Sequence, residues 1–425
     1  TFDRASMAGK VLDKYELLEK VGEGGMAEVY RGRHAALGRE VAIKLLHPHL
    51  SATERNRLRF EREARAIESL EHENILRIFD YSGRDSKVCY IVTEFIDGHT
   101  LKEVLSRNGL MPSEVAAMIG IKLCIALAYA HQHGIIHRDI KPENVMIRQD
   151  GLVKLMDFGI ARVLDESSMT LTGGLVGSPA YMSPEQASDR DVDERSDLFS
   201  LGTLLYRAAT GQLPFTGNSA PVILRNILEG DYPDPLDVEA SISPGLADVI
   251  QKALKVELDQ RFASAAQMGA ALREVLDQAE VVGTQEELRR YLEDPHGYEV
   301  WLRSHLNHVL VDRGRTLIAE GNSVAAMKLL NRVLCLDDRN EQVLALIQSM
   351  HRSRRRWGRY VTGAAIAMTS LGAFLVWHLK GGAMTHTGLD ASQGVGIDLT
   401  WAPVSGIDPA QPPLSSTSDG SPLSE

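Results

Sequence analysis

HRDIKPENVMIRQDGLVKLMDFG, residues 137–159, puts Arg138 beside Asp139, Lys141 two residues on and Asn144 three beyond that. Two short apolar runs follow, with Asp150-Gly151 between them. A solvated surface loop can carry the same mixture of charges, so the neighbouring residues have to decide. Asp-Gly between apolar runs is a two-residue hairpin signal. With those residues at the turn, 149 faces 152 and 148 faces 153, and the register places Asn144 directly opposite Asp157. Cross-strand neighbours have Cβ atoms about 5 Å apart. An amide oxygen and a carboxylate then meet at the hairpin mouth, the sparse oxygen set that Mg²⁺ takes when phosphate supplies the rest. A polar mouth that solvates itself is the alternative this stretch leaves open.

Upstream, from about Tyr15 to Tyr90, YELLEKVG, AEVYRGRH and REVAIKLL alternate as strands between Gly and polar turns. One helix interrupts them: Ser51 and Glu54 have capping-box spacing, and Phe60, Ala64 and Ile67 recur at helical intervals. From about Leu101 to Leu276 the pattern is helical, with Gly134 and Gly211 as C-caps. Strands ahead of helices make an α+β layout. VGEGGMAEV, 21–29, is a Gly-rich turn whose backbone N–H groups can approach phosphate; no Gly-Lys-Ser/Thr follows, and a strand rather than a helix succeeds it. In EVAIKLL, Val41, Ile43 and Leu45 share one face, and Ala42 and Lys44 the other. A lysine in that run needs an anion, with Glu63 or a nucleotide phosphate as candidates.

GEGGMAEV, VAIK, HRDIKPEN, DFG at 157–159, SPE at 183–185 and DLFSLG at 197–202 together resemble the eukaryotic-type (Hanks-type) protein kinase family in order and spacing. The likeness covers about 15–276. KPEN resembles serine/threonine kinases, and the whole layout is similar to bacterial transmembrane ones. The resemblance implies a bilobal fold with a β-rich N-lobe and an α-helical C-lobe. It also implies ATP and Mg²⁺, with Mn²⁺ as the substitute. Lys44 would hold the α/β-phosphates and pair with Glu63, Asp139 would take the substrate hydroxyl proton, and Lys141 would neutralise the γ-phosphate. Asn144 and Asp157 would bind the metal. The phosphate loop would be Val21, Gly22, Glu23, Gly24, Gly25, Met26, Ala27, Glu28 and Val29. Adenine would lie between Val29 and Ala42 above and Met146 below, its edge read by backbone groups of Glu94 and Ile96, with Thr93 behind. Ile67, Ile78, His137 and Phe158 would form the family's stacked regulatory column; ordinary core is the alternative, and the two are compatible. Glu185 and Arg261 would form a buried strut. The sequence departs from the pattern at Ala27, Ser178 and Ser183, all small residues expected to tune rate or loop mobility without removing activity.

Between Asp157 and Glu185, Thr170 and Thr172 sit in a polar, Gly-flanked stretch. A phosphate on either one adds about −1.5 to −2 charge and can pair with Arg138, which makes both expected autophosphorylation sites.

Residues 281–350 read as helical. Gly314, Leu317, Gly321, Ala326, Leu330 and Val333 fall at tetratricopeptide offsets within 310–338, as a partner site or a helical spacer. A single such unit has to pack on neighbouring helices or on a partner. Residues 352–359, RSRRRWGR, carry five arginines, and 360–379 then contain no Asp, Glu, Lys or Arg. Twenty residues at about 1.5 Å rise span about 30 Å, the hydrocarbon thickness of a bilayer. The strong apolar residues in this span contribute roughly −2 to −4 kcal/mol to insertion. A buried helix in a soluble domain is the competing reading, and the flanking arginines favour a single-pass plasma (inner) membrane helix. They also place the kinase domain in the cytoplasm and the Gly/Ser/Thr/Pro-rich tail, 380–425, outside as a disordered segment. Residues 1–14 read as a leader; those before Met7 are an upstream extension or a fragment start.

The chain has 425 residues, 44% hydrophobic and 24% charged, and a formal charge of −11, which argues against general nucleic-acid binding. Its three cysteines, Cys89, Cys124 and Cys335, stand far apart and read as buried reduced thiols. The partners expected are protein substrates and the membrane, with a protein at 285–350 and a homodimer as open alternatives. A pseudokinase scaffold, a kinase domain serving to display 285–350, and a small-molecule kinase are the rival readings. The intact set Lys44, Glu63, Asp139, Asn144 and Asp157 opposes the first of these.

Overall fold

A computed structural model describes residues 9–24, 27–48, 53–83, 86, 88–158 and 179–350, all within one compact unit. The span 360–379, the tail, the leader to residue 8, Gly25, Met26, Thr170 and Thr172 lie outside the described residues.

The N-lobe is an antiparallel sheet of β1 (Val11–Leu12), β2 (Tyr15–Glu23), β3 (Ala27–His34), β4 (Glu40–Leu46), β5 (Ile78–Tyr81) and β6 (Tyr90–Glu94), ordered β1-β2-β3-β4-β6-β5. Alternation along β4 holds: Val41, Ile43 and Leu45 are buried in a cluster with Leu17, Tyr30 and Val92, and Ala42 and Lys44 are half-buried on the other face. Helix α1 (Glu54–Glu68) connects β4 to β5 and turns Phe60, Ala64 and Ile67 inward. Its cap differs from the expected one at Ser51. Thr53, in extended backbone, accepts the Asn56 N–H at 3.2 Å, one residue before the first helical position, where a cap has to stand.

The C-lobe begins with β7 (Gly98–Thr100) and α2 (Leu101–Asn108), joined by a Thr100/Glu103 capping box. Helix α3 (Ser113–Gln132) is apolar on nearly every side and sits in the middle of the lobe. It is long and apolar enough to cross a membrane, but 78% of that stretch is buried within the protein. Around it lie α4 (Pro184–Ala187), α5 (Glu194–Thr210), α6 (Ala220–Glu229), α7 (Pro235–Val238), α8 (Pro244–Ala253) and α9 (Ala265–Gln278). Gly134 and Gly211 take φ of +72° after α3 and α5, as their C-cap roles require.

Strands β8 (Val145–Arg148) and β9 (Val153–Leu155) form the expected hairpin and join β7, but the register is one residue off the predicted one. Ile147 pairs with Val153 and Val145 with Leu155, so Asn144 stands opposite Met156, whose N–H it accepts at 2.8 Å. The turn explains the shift. The Gly151 N–H bonds the Arg148 carbonyl at 2.9 Å and Gly151 takes φ of +84°, the three-residue loop with a left-handed glycine in place of the two-residue turn.

Three more helices follow, α10 (Gln285–Glu293), α11 (Pro295–Ala319) and α12 (Ser323–Leu336), with further helix at 341–350. The tetratricopeptide offsets are packing positions: Ala326, Leu330 and Val333 are fully buried, and a Cβ on Gly314 would lie 2.9 Å from Leu330. These helices bury their apolar side against the C-lobe. Arg332 forms a buried ion pair with Glu114 at 2.9 Å, and Tyr291 accepts from Asn108 at 3.4 Å. Cys89 and Cys124 are buried, and burial pushes the Cys124 thiol up to about 12. Cys335, expected to be buried, is exposed on α12, whose packed positions are Ala326, Leu330 and Val333.

Candidate active site

The 137–144 segment is held from below by Asp197 of α5, which is fully buried. Its carboxylate accepts the backbone N–H groups of His137 and Arg138, each at 2.8 Å, and the His131 Nε2–H at 2.8 Å. Arg138 has φ of +66°, a costly conformation for a residue with a Cβ. The Arg138 carbonyl takes a bond from Gln186 at 2.9 Å. Gln186 belongs to α4 and closes a capping box with Ser183, so Ser183 supplies a cap that the family's more frequent alanine cannot.

On this support the polar side chains converge. Lys141 Nζ lies 2.7 Å from Asp139 Oδ2. The Asn144 amide donates to the Asp139 carbonyl at 2.7 Å and to its Oδ2 at 2.9 Å. Asp139 is thus oriented by two donors, with its side chain 36% open to the cleft. His137 is fully buried, donates from Nε2 to the Met156 carbonyl at 2.7 Å, and packs on Phe158 with centroids 4.6 Å apart and the rings tilted by 49°. Ile67 and Ile78 are buried in the same core as Phe158.

Asp157 leaves the β9 strand direction at φ of +55°. Its Oδ1 lies 2.7 Å from Lys44 Nζ. Burial pushes this carboxyl up, but Lys44, then His137 and Lys141, outweigh it and hold it below the usual carboxylate value. The anion that answers Lys44 is therefore Asp157, not the expected Glu63. Glu63 stands half-buried on α1, and among the described residues no ion pair joins it to Lys44. With its amide nitrogen committed to Asp139, Asn144 keeps its oxygen for an acceptor role, as Asp157 keeps Oδ2. No group of three or more His, Cys, Asp or Glu side chains among the described residues makes a metal cage. Two hard oxygens fit a divalent ion that draws its other ligands from phosphate and water.

Above the cleft, Val29 and Lys44 are cross-strand partners, as are Ala42 and Thr93. Thr93 and Ile96 are buried, Met146 on β8 is half-buried, and Val21, Gly22 and Glu23 form the end of β2, with Gly24 just beyond it. Ala27 is buried, and its carbonyl accepts the Gly24 N–H at 2.9 Å. Glu28 is drawn into the lobe, bonded by Lys20 at 3.0 Å and by Tyr30 at 3.2 Å. Glu94 has a side-chain partner that sequence reasoning missed. Lys154, 8% exposed and on the strand leading to Asp157, reaches it at 2.5 Å. Glu185 and Arg261 form the expected strut, a fork of two bonds at 2.9 Å.

A strand-rich lobe over a helical one, with two lysines, an amide and two carboxylates at their junction, can be compared with known proteins. The family model for the protein kinase domain matches residues 15–272. The chain belongs to the protein kinase family. A probable serine/threonine-protein kinase of Clostridium perfringens is 41% identical to it over 271 residues, 63% of this chain and 39% of that protein. The kinase therefore spans about two-fifths of that relative's length. The serine/threonine-protein kinase PknL of Mycobacterium tuberculosis is 37% identical over 276 residues, 65% of this chain and 69% of PknL. Among solved structures, the Mycobacterium tuberculosis PknI kinase domain superposes with a TM-score of 0.52 at 25% identity, covering 64% of this chain and 99% of that one. The kinase domain and its two lobes are thus shared with these relatives, and α10–α12 lie beyond the matched residues. Family membership brings with it ATP and a divalent ion. Asp197, His131 and Gln186 escaped the sequence reading. DLFSLG marked the first as a motif without a role, and nothing local marked the other two.

Proposed function

We propose that this chain is an active serine/threonine protein kinase, with ATP as phosphoryl donor. The observation that carries the reading is Asp139 held by Lys141 and Asn144 in the same cleft as the Lys44–Asp157 pair. Asp139 takes the proton of a Ser or Thr hydroxyl. The hydroxyl oxygen bonds the γ-phosphorus as the β–γ bridging P–O bond breaks, and the electron pair leaves with ADP. Lys44 holds the α/β-phosphates, and Lys141 faces the charge that builds on the transferring group. Asn144 and Asp157 would hold Mg²⁺, or Mn²⁺ in its place, which would supply positive charge to offset that of the phosphates. Labelled ATP and a generic protein substrate test the reading: Asp139→Asn is expected to lower transfer 10²- to 10⁴-fold, the weight of a positioned general base. Equal transfer by the variant would refute it.

The finer reading is a membrane-anchored bacterial signalling kinase that autophosphorylates at Thr170 or Thr172. The arginines of 352–359 and the uncharged span after them support a single-pass anchor with the kinase domain cytoplasmic. Recovery of the full chain in the soluble fraction after lysis, or ATP-treated protein with neither threonine modified by mass spectrometry, removes the corresponding part.

A further inference from the structure

Where α11 and α12 cover the C-lobe there is a pocket of about 130 Å³. None of its lining residues belongs to the catalytic or nucleotide set, and part of its wall comes from helices beyond the matched kinase domain. Leu302, Leu306 and Leu336 give it an apolar side, which Glu299 and Arg303 of α11 flank. Glu114, fully buried, and Arg332, 5% exposed, give it a charged end.

The guanidinium at that end is fixed in orientation. Its Nε donates to the Ser241 carbonyl at 3.1 Å, and its Nη2 donates to Glu114 Oε2 at 3.1 Å and touches Oε1 at 2.9 Å. Among the described residues, Nη1 has no acceptor. A buried ion pair is a poor way to join two apolar surfaces, because well-packed apolar residues of similar volume do as well or better. It does supply an oriented donor at the end of the space, beside Glu114 Oε1, which is buried without a hydrogen-bond partner. Apolar walls with a few convergent polar groups are the composition of small-molecule sites. The volume is near that of a cavity of about 150 Å³ that takes up benzene.

We propose that this pocket binds a compact apolar molecule about the size of one aromatic ring, carrying a single acceptor head group, a carboxylate or a carbonyl. The head accepts from Arg332 Nη1, and the body packs on Leu302, Leu306 and Leu336. The site stands apart from phosphotransfer and does not depend on it.

Ligand-observed fluorine NMR on the full chain tests this with three water-soluble probes sharing one ring: 4-fluorobenzoate, 4-fluorobenzamide and 4-fluorobenzylamine. Saturable line broadening is expected for one or both of the acceptor-bearing probes, and their pattern says whether the head is charged or neutral. The amine, which presents donors only, should bind at least tenfold more weakly. Leu306→Trp, which fills the pocket, should abolish the broadening while phosphotransfer continues. Arg332→Lys keeps a cation beside Glu114 but loses the forked donor, and should weaken the acceptor probes at least threefold. If Leu306→Trp does not fold, Arg332→Lys decides. Absence of saturable broadening, equal binding of all three probes, indifference to these substitutions, or displacement by Mg·ATP would each overturn the proposal.

Discussion

The Asp197 carboxylate gathers three N–H donors, two of them from the backbone of the residues that lead into Asp139. Asp197→Ala strands those donors in the interior, where each unsatisfied group costs about 1–3 kcal/mol. A loss on the order of 3 kcal/mol or more in denaturant unfolding is expected, with phosphotransfer falling because Arg138 no longer keeps its left-handed backbone. Retention of wild-type stability would show that other contacts hold the segment. This role was hidden in the sequence because the bonded residues lie about 60 positions apart. That Asp139, Asn144 and Asp157 would come together was anticipated from the motifs that carry them, HRDIKPEN and DFG. Glu185 makes a second case. Burial pushes its carboxyl up, but the bonds from Arg261 and Ser196 pull it down further, leaving it below its ordinary 4.5. A depressed carboxyl stabilises the fold at pH above that ordinary value, and the contribution is lost as pH falls through the lowered native value. Glu185→Gln leaves a buried arginine unpaired and should cost about 3–5 kcal/mol at neutral pH. The gap from wild type should then narrow as melts are taken below about pH 4. A gap constant with pH would contradict the assignment.

The β8–β9 hairpin carries the proposed metal ligands at its mouth and meets α10 at its turn. A Cβ on Gly151 would lie 2.2 Å from the Gln285 carbonyl and 2.8 Å from the Arg289 nitrogen. Two demands fall on this one glycine, a left-handed backbone and close approach by a helix. Gly151→Val should cost about 1–2 kcal/mol from the backbone alone and lift α10 away. Limited proteolysis should then cut near Thr284 faster than in the wild type. Unchanged digestion would mean that α10 is not seated on the turn. Asp150-Gly151 announced a hairpin, but the sequence did not separate a two-residue from a three-residue loop. That choice shifts every pair by one and makes Asn144 and Asp157 diagonal neighbours. The helix positions of the last segment were legible from their period. Their docking on the C-lobe was not, because Arg332 and Glu114 meet only after both have left water.

Lobes, cleft and C-terminal helices together make one folded body, with the buried core running from the N-lobe helix α1 through α3 and α5 to α12. Arg332→Ala leaves Glu114 uncompensated in that core and should destabilise the protein by about 3–5 kcal/mol. Scanning calorimetry should show a melting temperature lower by roughly 10 °C, given about 2–4 °C per kcal/mol for a body this large. A shift under about 2 °C would place the pair outside the cooperative unit. The account rests on the junction between the lobes, where Lys44, Asp139, Asn144 and Asp157 converge. Calorimetric titration of ATP with and without Mg²⁺ tests it most directly, on the wild type, Asp157→Asn and Asp139→Asn. The account predicts Mg²⁺-enhanced binding by the wild type, at least a tenfold loss of that enhancement in Asp157→Asn, and near-normal binding by Asp139→Asn. Wild-type Mg·ATP affinity in Asp157→Asn, or no Mg²⁺ enhancement in the wild type, would contradict it.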